Sequence, residues 1–290
     1  MGKYVIITDS TTDLPPLYQN EQELVVIPLK YNLGGKEYLD YLDHREYSIT
    51  AFYNEMRNGA ISKTSQINSQ TFYDIFKKYL DEGYGILALI FSSALSGTYN
   101  SARLAKDELL EENKEAQIEL IDSKCASMGE GLLVYYGLKA LKEGKTLQEN
   151  KNYLEDLKLH IIHYFTVDTL TYLYRGGRVS ASSAFIANAL QIKPILNVND
   201  KGELIPRLKK IGRKNSLKCL IEHVVKEFDP SKNDVIFISH GDALGDAFYV
   251  RDELEKALGF NNFVINYIGP VIGSHSGPGT IAVFYLANNR

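Results

Sequence analysis

Three segments concentrate the residues that could do chemistry: Thr64-Ser65-Gln66, Ser92-Ser93-Ala94-Leu95-Ser96-Gly97-Thr98, and the run Gly269-Pro270-Val271-Ile272-Gly273-Ser274-His275-Ser276-Gly277-Pro278-Gly279. Each offers neutral hydroxyls, and the second and third add backbone N–H groups beside glycine, a means of holding an anion with little positive charge. His275 is the one histidine among them. A lone Ser or Thr in a loop is usually a cap or turn residue. Three such segments together favour an anion site.

Catalytic readings of the same residues are weaker. Asp9, at the end of the first expected strand, stands where an aspartyl-phosphate enzyme keeps its nucleophile. The Asp-x-Asp pattern is broken by Thr11, so an Asx-turn or an interdomain hydrogen bond is the plainer use of Asp9. A Gly-x-Ser-x-Gly elbow fails too, because Gly273 to Gly277 carries His275 at its centre. Ser276 follows that histidine directly and is poorly placed as its nucleophile, whereas a distant serine such as Ser96 is not. A small-molecule hydrolase or phosphatase using Asp9 or Ser96 is therefore the alternative reading. His44, His160, His163, His223 and His240 show no metal-ligand spacing, and Gly176-Gly177 fits a helix end and not a nucleotide-binding loop. No metal or organic cofactor is expected.

The elements that must position these groups follow from periodicity. Lys3–Thr8, Leu24–Leu29, Ile86–Phe91 and Ile118–Ile121 read as strands, with a hairpin at Gly34-Gly35. Helices are expected after Ser48, after Ser69, over Tyr99–Leu110, and over Gly131–Lys142 and Leu147 to about His160. The alternation predicts an α/β fold with a largely parallel α/β sandwich over residues 1–160. Residues 161–290 read as an α+β domain, with strands at Ile162–Val167, Ile195–Val198, Glu203–Leu208, Val235–Ser239, Phe263–Ile268 and Ile281–Leu286. Helices at about Ser216–Phe228 and Leu244–Leu258 complete it. At 290 residues with 44% hydrophobic content, two domains are the natural division.

Charge and cysteine content narrow the partners. A formal net charge of −4 gives no general attraction to nucleic acid, and the one basic stretch, Arg207 to Lys214, is short. Two distant cysteines, Cys125 and Cys219, fit a reducing, cytoplasmic setting. The apolar run Tyr4–Ile7 is too short for a membrane span, so no stable membrane insertion is expected.

Taken together, Asp9-Ser10-Thr11-Thr12-Asp13-Leu14-Pro15, Thr64-Ser65-Gln66, Ser92 to Tyr99, Asp122-Ser123, Phe165 to Leu170, Arg175-Gly176-Gly177-Arg178, Lys193 to Leu196 and Ile268 to Gly279 resemble, in order and over nearly the whole chain, the DegV family of bacterial fatty-acid-binding proteins, the FakB-type partners of fatty acid kinase. The resemblance implies a two-domain DegV-like fold with one long-chain fatty acid, of the palmitate, stearate or oleate class, buried between the domains. Its carboxylate would be held by Thr64 and Ser96, with Ser93 the alternative in the same loop, and by His275. Ser65, Gly97 and Ser276 complete the implied site. Asn68 stands where many relatives have Ser, and Ser276 where Thr is common. The expected tail-lining residues are Phe185, Ile186, Leu190, Ile192 and Leu196. Roughly 15 buried methylenes would contribute about 12 kcal/mol before ordering costs, so the tail supplies affinity and the hydroxyls fix the head. A separate kinase would phosphorylate the bound carboxylate, yielding an acyl phosphate for phospholipid synthesis, and the carrier itself would do no catalysis. The stretch Arg207 to Lys214 could guide the kinase.

Overall fold

The computed structural model of the protein describes residues 3–180, 191–288 and 290. In chain order the first half runs β1 (Tyr4–Asp9), β2 (Leu24–Ile27), β3 (Lys30–Leu33), β4 (Lys36–Leu39), α1 (Ile49–Arg57), β5 (Ser62–Ser65), α2 (Ser69–Asp81), β6 (Gly85–Ile90), α3 (Thr98–Glu112), β7 (Ile118–Asp122), α4 (Met128–Lys142) and α5 (Leu147–Leu157). The second half runs β8 (Ile161–Thr166), α6 (Thr171–Arg175), β9 (Ile192–Val198), β10 (Leu204–Ile211), α7 (Arg213–Glu227), β11 (Ile236–His240), α8 (Leu244–Leu258), β12 (Phe263–Tyr267), α9 (Pro270–Ser276) and β13 (Ile281–Leu286).

Strands β2-β1-β6-β7 form a wholly parallel sheet. Its centre is apolar throughout, and every residue of β6 is buried, as befits a strand covered on both faces. A small antiparallel sheet, β4-β3-β5, stands beside it. From β8 onward the strands join a six-stranded sheet, β10-β9-β8-β13-β11-β12, in which only β11 and β12 run parallel. The sequence pattern thus yields the expected α/β fold with separate parallel and mixed sheets.

Side-chain alternation assigns the layers. Val5 and Ile7 point into a core with Phe72 and Phe76 of α2 and Ala102 and Ala105 of α3. Tyr4 and Ile6 point the other way, into a core that α4 shares with Phe165, Phe237 and Phe284 of the second sheet. Ile236, Ile238, Val283 and Tyr285 face a third core under α7 and α8. Helix α4 is apolar nearly all round because both sheets cover it. The two halves are therefore joined by one continuous core.

Local signals shift several expected boundaries. Asn68, and not Ser69, caps α2, its Oδ1 accepting from the Thr71 N–H at 2.8 Å. Ser48 precedes α1 but makes no capping bond to it. Gly34 and Gly35 take φ of +61° and +83°, closing the expected β3–β4 hairpin. Three short elements do not follow from periodicity: β5, α6 and α9. Thr64 thus lies within a strand and His275 on a helix, where loops were expected.

Candidate functional site

The carboxyl ends of β1, β6 and β7 converge on one cavity of about 220 Å³ between the parallel sheet and the six-stranded sheet. From the first half come Thr11, Phe91, Leu95, Ser96, Gly97, Ala126 and Ser127, joined by Thr64 and Ser65 from β5 and Gln66 beyond it. From the second half come Phe165, Val198, Leu204, Ala282, Phe284, Arg178 and residues of α9 including His275 and Ser276. Thr64, Ser65, Ser96, Gly97, His275 and Ser276 are thereby brought to one cavity.

Strand register orders the walls. On β8, His163 and Phe165 are two residues apart and face the same side. Phe284 lies opposite His163, and Ala282 opposite Phe165. Ser65 and Gly97 are exposed at the hydroxyl-bearing end, whereas His163, Val198 and Phe284 are buried at the other. The cavity therefore has a polar end that meets solvent and a closed apolar end.

At the polar end, Thr64 Oγ1 and His275 Nε2 lie 2.8 Å apart. His275 Nδ1 is buried without a partner among the described residues, against Gly176, where a Cβ would overlap the ring. An unpaired buried N–H costs more than an unpaired ring lone pair, so the favoured tautomer carries its proton on Nε2 and donates to Thr64. Burial, and then the Arg178 guanidinium, hold this imidazole down at about 4, so it is neutral at pH 7. Thr64 keeps its own hydroxyl proton for the cavity. Ser96 Oγ accepts from the Thr98 N–H at 3.2 Å and lies 2.9 Å from Thr98 Oγ1, which leaves the Ser96 proton free in the same way when Thr98 donates. The Ser276 hydroxyl is buried with no partner among the described residues. Three hydroxyls are thus free to give hydrogen bonds to an anion, and the neutral imidazole orients one of them.

Ser93 does not line the cavity; its hydroxyl donates to Asp122 and receives from Lys124 Nζ at 3.1 Å. Asp9 is fully buried, with Oδ1 accepting from the Thr11 hydroxyl and N–H and Oδ2 from the Phe91 N–H at 3.2 Å. It is an Asx-turn residue turned away from the cavity. Among the expected tail-lining residues, Phe185, Ile186 and Leu190 lie outside the described residues. Ile192 and Leu196 do not line the cavity, and Leu196 sits in the shared core. Leu196 pairs with Phe165 and faces the same side of the sheet, but only Phe165 of the two reaches the cavity.

Among the lining residues not singled out in the sequence are Arg178 and His163. Arg178 donates from Nε to Leu95 O at 3.0 Å and from Nη1 to Gly176 O at 2.5 Å. Burial lowers its guanidinium from the ordinary value, and no carboxylate pairs with it among the described residues. The Arg-Gly-Gly-Arg block was visible, but which arginine turns inward is a tertiary matter. His163 lies at the apolar end, its Nδ1–H donating to Ile161 O at 3.0 Å and its Nε2 accepting from the Ala126 N–H at 3.3 Å. Both nitrogens are thereby occupied and the ring acts as an apolar wall. No group of metal-ligating side chains occurs among the described residues, and none of their helices is long and apolar enough to cross a membrane.

Comparison with known proteins places this geometry in context. The model of the DegV family, whose description reads "Uncharacterised protein, DegV family", matches residues 3–288. A DegV domain-containing protein of Clostridium perfringens is 43% identical over 290 residues, covering 100% of this chain and 99% of the relative. Among solved structures, a fatty acid binding DegV family protein from Streptococcus agalactiae superposes with a TM-score of 0.87 at 28% identity, covering 100% of both chains. A DegV family protein from Thermus thermophilus, described for its fatty acid binding, gives a TM-score of 0.85 at 29% identity over 99% of this chain and 100% of that one.

Proposed function

This chain belongs to the DegV family, and from that premise we propose that it carries one long-chain fatty acid in the cavity, carboxylate at the Thr64–His275 end and tail toward His163 and Phe284. The observation that carries the reading is the division of the cavity walls. Hydroxyls with spare protons and a half-buried cation gather at the end that meets solvent, and mostly apolar side chains line the closed end.

The chemistry of the head group fits these donors. A carboxylate beside Arg178 stays ionised, because the guanidinium offsets the cost of removing it from water. Thr64, Ser96 and Ser276 donate to its oxygens, and His275 keeps Thr64 oriented. Ser65 and Gly97, exposed at this end, leave the carboxylate reachable from outside. The chain has no catalytic step of its own in this account. It presents the carboxylate in the cytoplasm to a fatty acid kinase, which forms the acyl phosphate. The stretch Arg207 to Lys214 runs from β10, an edge strand, into the first turn of α7, and supports docking through Arg207 and Lys214, since Arg213 is already paired with Asp168 and Asp246.

The test is titration of palmitate and oleate into wild type and into Thr64→Val with Ser96→Ala. Loss of two hydrogen bonds to a charged group, at roughly 1.5–3 kcal/mol each, should weaken binding at least a hundredfold with the fold intact. Unchanged affinity would remove Thr64 and Ser96 from the head-group site. Phosphorylation of the bound lipid by a purified fatty acid kinase with ATP, absent without this protein, tests the presenting role. Hydrolysis of acyl or phosphate esters that vanished on mutating Asp9 or Ser96 would favour the enzyme reading instead.

A further inference from the structure

Helix α9 carries His275 and Ser276 to the cavity, yet it has little means of holding itself. It spans seven residues, its N-cap is Gly269 without a side chain, and Pro270 at its first position has no N–H. A helix this short is not stable alone. What holds its start comes from the other half of the chain. Asp13 Oδ1 accepts from the Gly269 N–H at 2.8 Å, Asp40 Oδ2 accepts from the Val271 N–H at 3.3 Å, and the Tyr53 hydroxyl donates to Ile268 O at 2.8 Å. The Asp13 carbonyl also accepts from Asn266 Nδ2 at 2.9 Å. Both carboxyls crowd the same backbone point: a Cβ on Gly269 would lie 2.9 Å from Asp13 Oδ1 and 3.2 Å from each Asp40 oxygen.

We propose that Asp13 and Asp40 are positioning residues for the anion-binding end of the cavity, clamping the first turn of α9 across the domain seam so that His275 meets Thr64. Both aspartates are at least 97% buried, since their exposures are 3% and 2%, and neither lines the cavity that holds His275. Burying two acids near each other is costly, and no buried Lys or Arg pairs with either of them among the described residues. Such groups are kept where their hydrogen bonds decide a geometry. Asp13 is itself held from the first half, Ser127 Oγ lying 2.5 Å from its Oδ2. In either protonation state the other oxygen remains an acceptor for the Gly269 N–H. The clamp thus needs the oxygen and not the charge. Further along α9, the hydroxyls of Ser274 and of Ser62 on β5 lie 2.6 Å apart, so the helix meets the Thr64 strand at a second point.

The affinity readout of this proposal rests on the carboxylate-binding reading above, and a second readout is independent of it. In lipid-free protein labelled with ¹⁵N-histidine, the Nε2 resonance of His275, assigned through His275→Asn, reports the bond to Thr64. Asp13→Ala and Asp40→Ala should each move that resonance toward that of an exposed neutral histidine and weaken palmitate binding about fivefold or more, the loss expected of a removed cap. Asp13→Asn and Asp40→Asn keep an acceptor oxygen and should restore the resonance, with affinity within about threefold of wild type. Should Asp13→Ala fail to fold, Asp40→Ala, whose bond to α9 is the longer, decides by the same readouts. Alanine variants that fold with the His275 resonance unmoved, or asparagine variants as impaired as alanine, would overturn the clamp. If wild type refuses palmitate while the alanine variants still move the resonance, the clamp stands and the ligand reading fails.

Discussion

At the scale of single residues, the protein keeps an unusual number of ionisable groups out of water, and pH should read them. Burial, opposed by the Ser127 and Gly269 hydrogen bonds, pushes Asp13 from 3.8 to about 8, and raises Asp9, Asp40 and Glu130 in the same sense. A folded-state pKa above the unfolded value means that the native protein binds the extra proton, so stability falls as pH rises through that window. Burial acts oppositely on His240 and His275, both held at about 4. They cost stability as pH falls from about 6.5 toward 4. Above pH 6.5 only the acids contribute to this balance. The midpoint of urea unfolding should therefore decline between pH 6.5 and 8.5, and Asp13→Asn should flatten the decline. Parallel curves for the two proteins would contradict the assignment. Thr64, Ser96 and His275 were legible in the sequence as hydroxyl and imidazole residues in three segments, two of them carrying glycine, and the structure brings them to one cavity. Arg178 was not, because nothing local distinguishes it from Arg175.

At the scale of elements, periodicity located the long helices and the buried strands to within a few residues, since each buries a repeating apolar face. It did not reveal β5, α6 or α9. Helix α9 is rich in Gly, Ser and Pro, and its capping groups lie 256 and 231 residues away in the chain. No local signal can carry that information. The same tertiary dependence makes the contact between α6 and α9 sensitive. Gly176, at the end of α6, faces the His275 ring so closely that a methyl group there would overlap Nδ1. Gly176→Ala should cost about 1–3 kcal/mol in equilibrium unfolding, as overpacking does, and should weaken fatty acid binding by displacing the ring. A variant as stable as wild type with normal affinity would mean that the two helices can part freely.

At the scale of the whole molecule, a parallel sheet and a mixed sheet are joined through α4 into one core, and the cavity lies where their walls meet. The sequence showed two kinds of sheet; it could not show which residues of each would share a wall, since that depends on how the layers stack. The stacking gives the cavity its polar and apolar ends, and so underlies the reading of the protein as a carrier whose cargo is anchored at one end. Organic extraction of the purified protein, with native mass spectrometry of the same sample, tests that reading most directly. One long-chain fatty acid per chain is expected, lost when Thr64→Val is combined with Ser96→Ala. A lipid-free protein that also refuses added palmitate and oleate would contradict it.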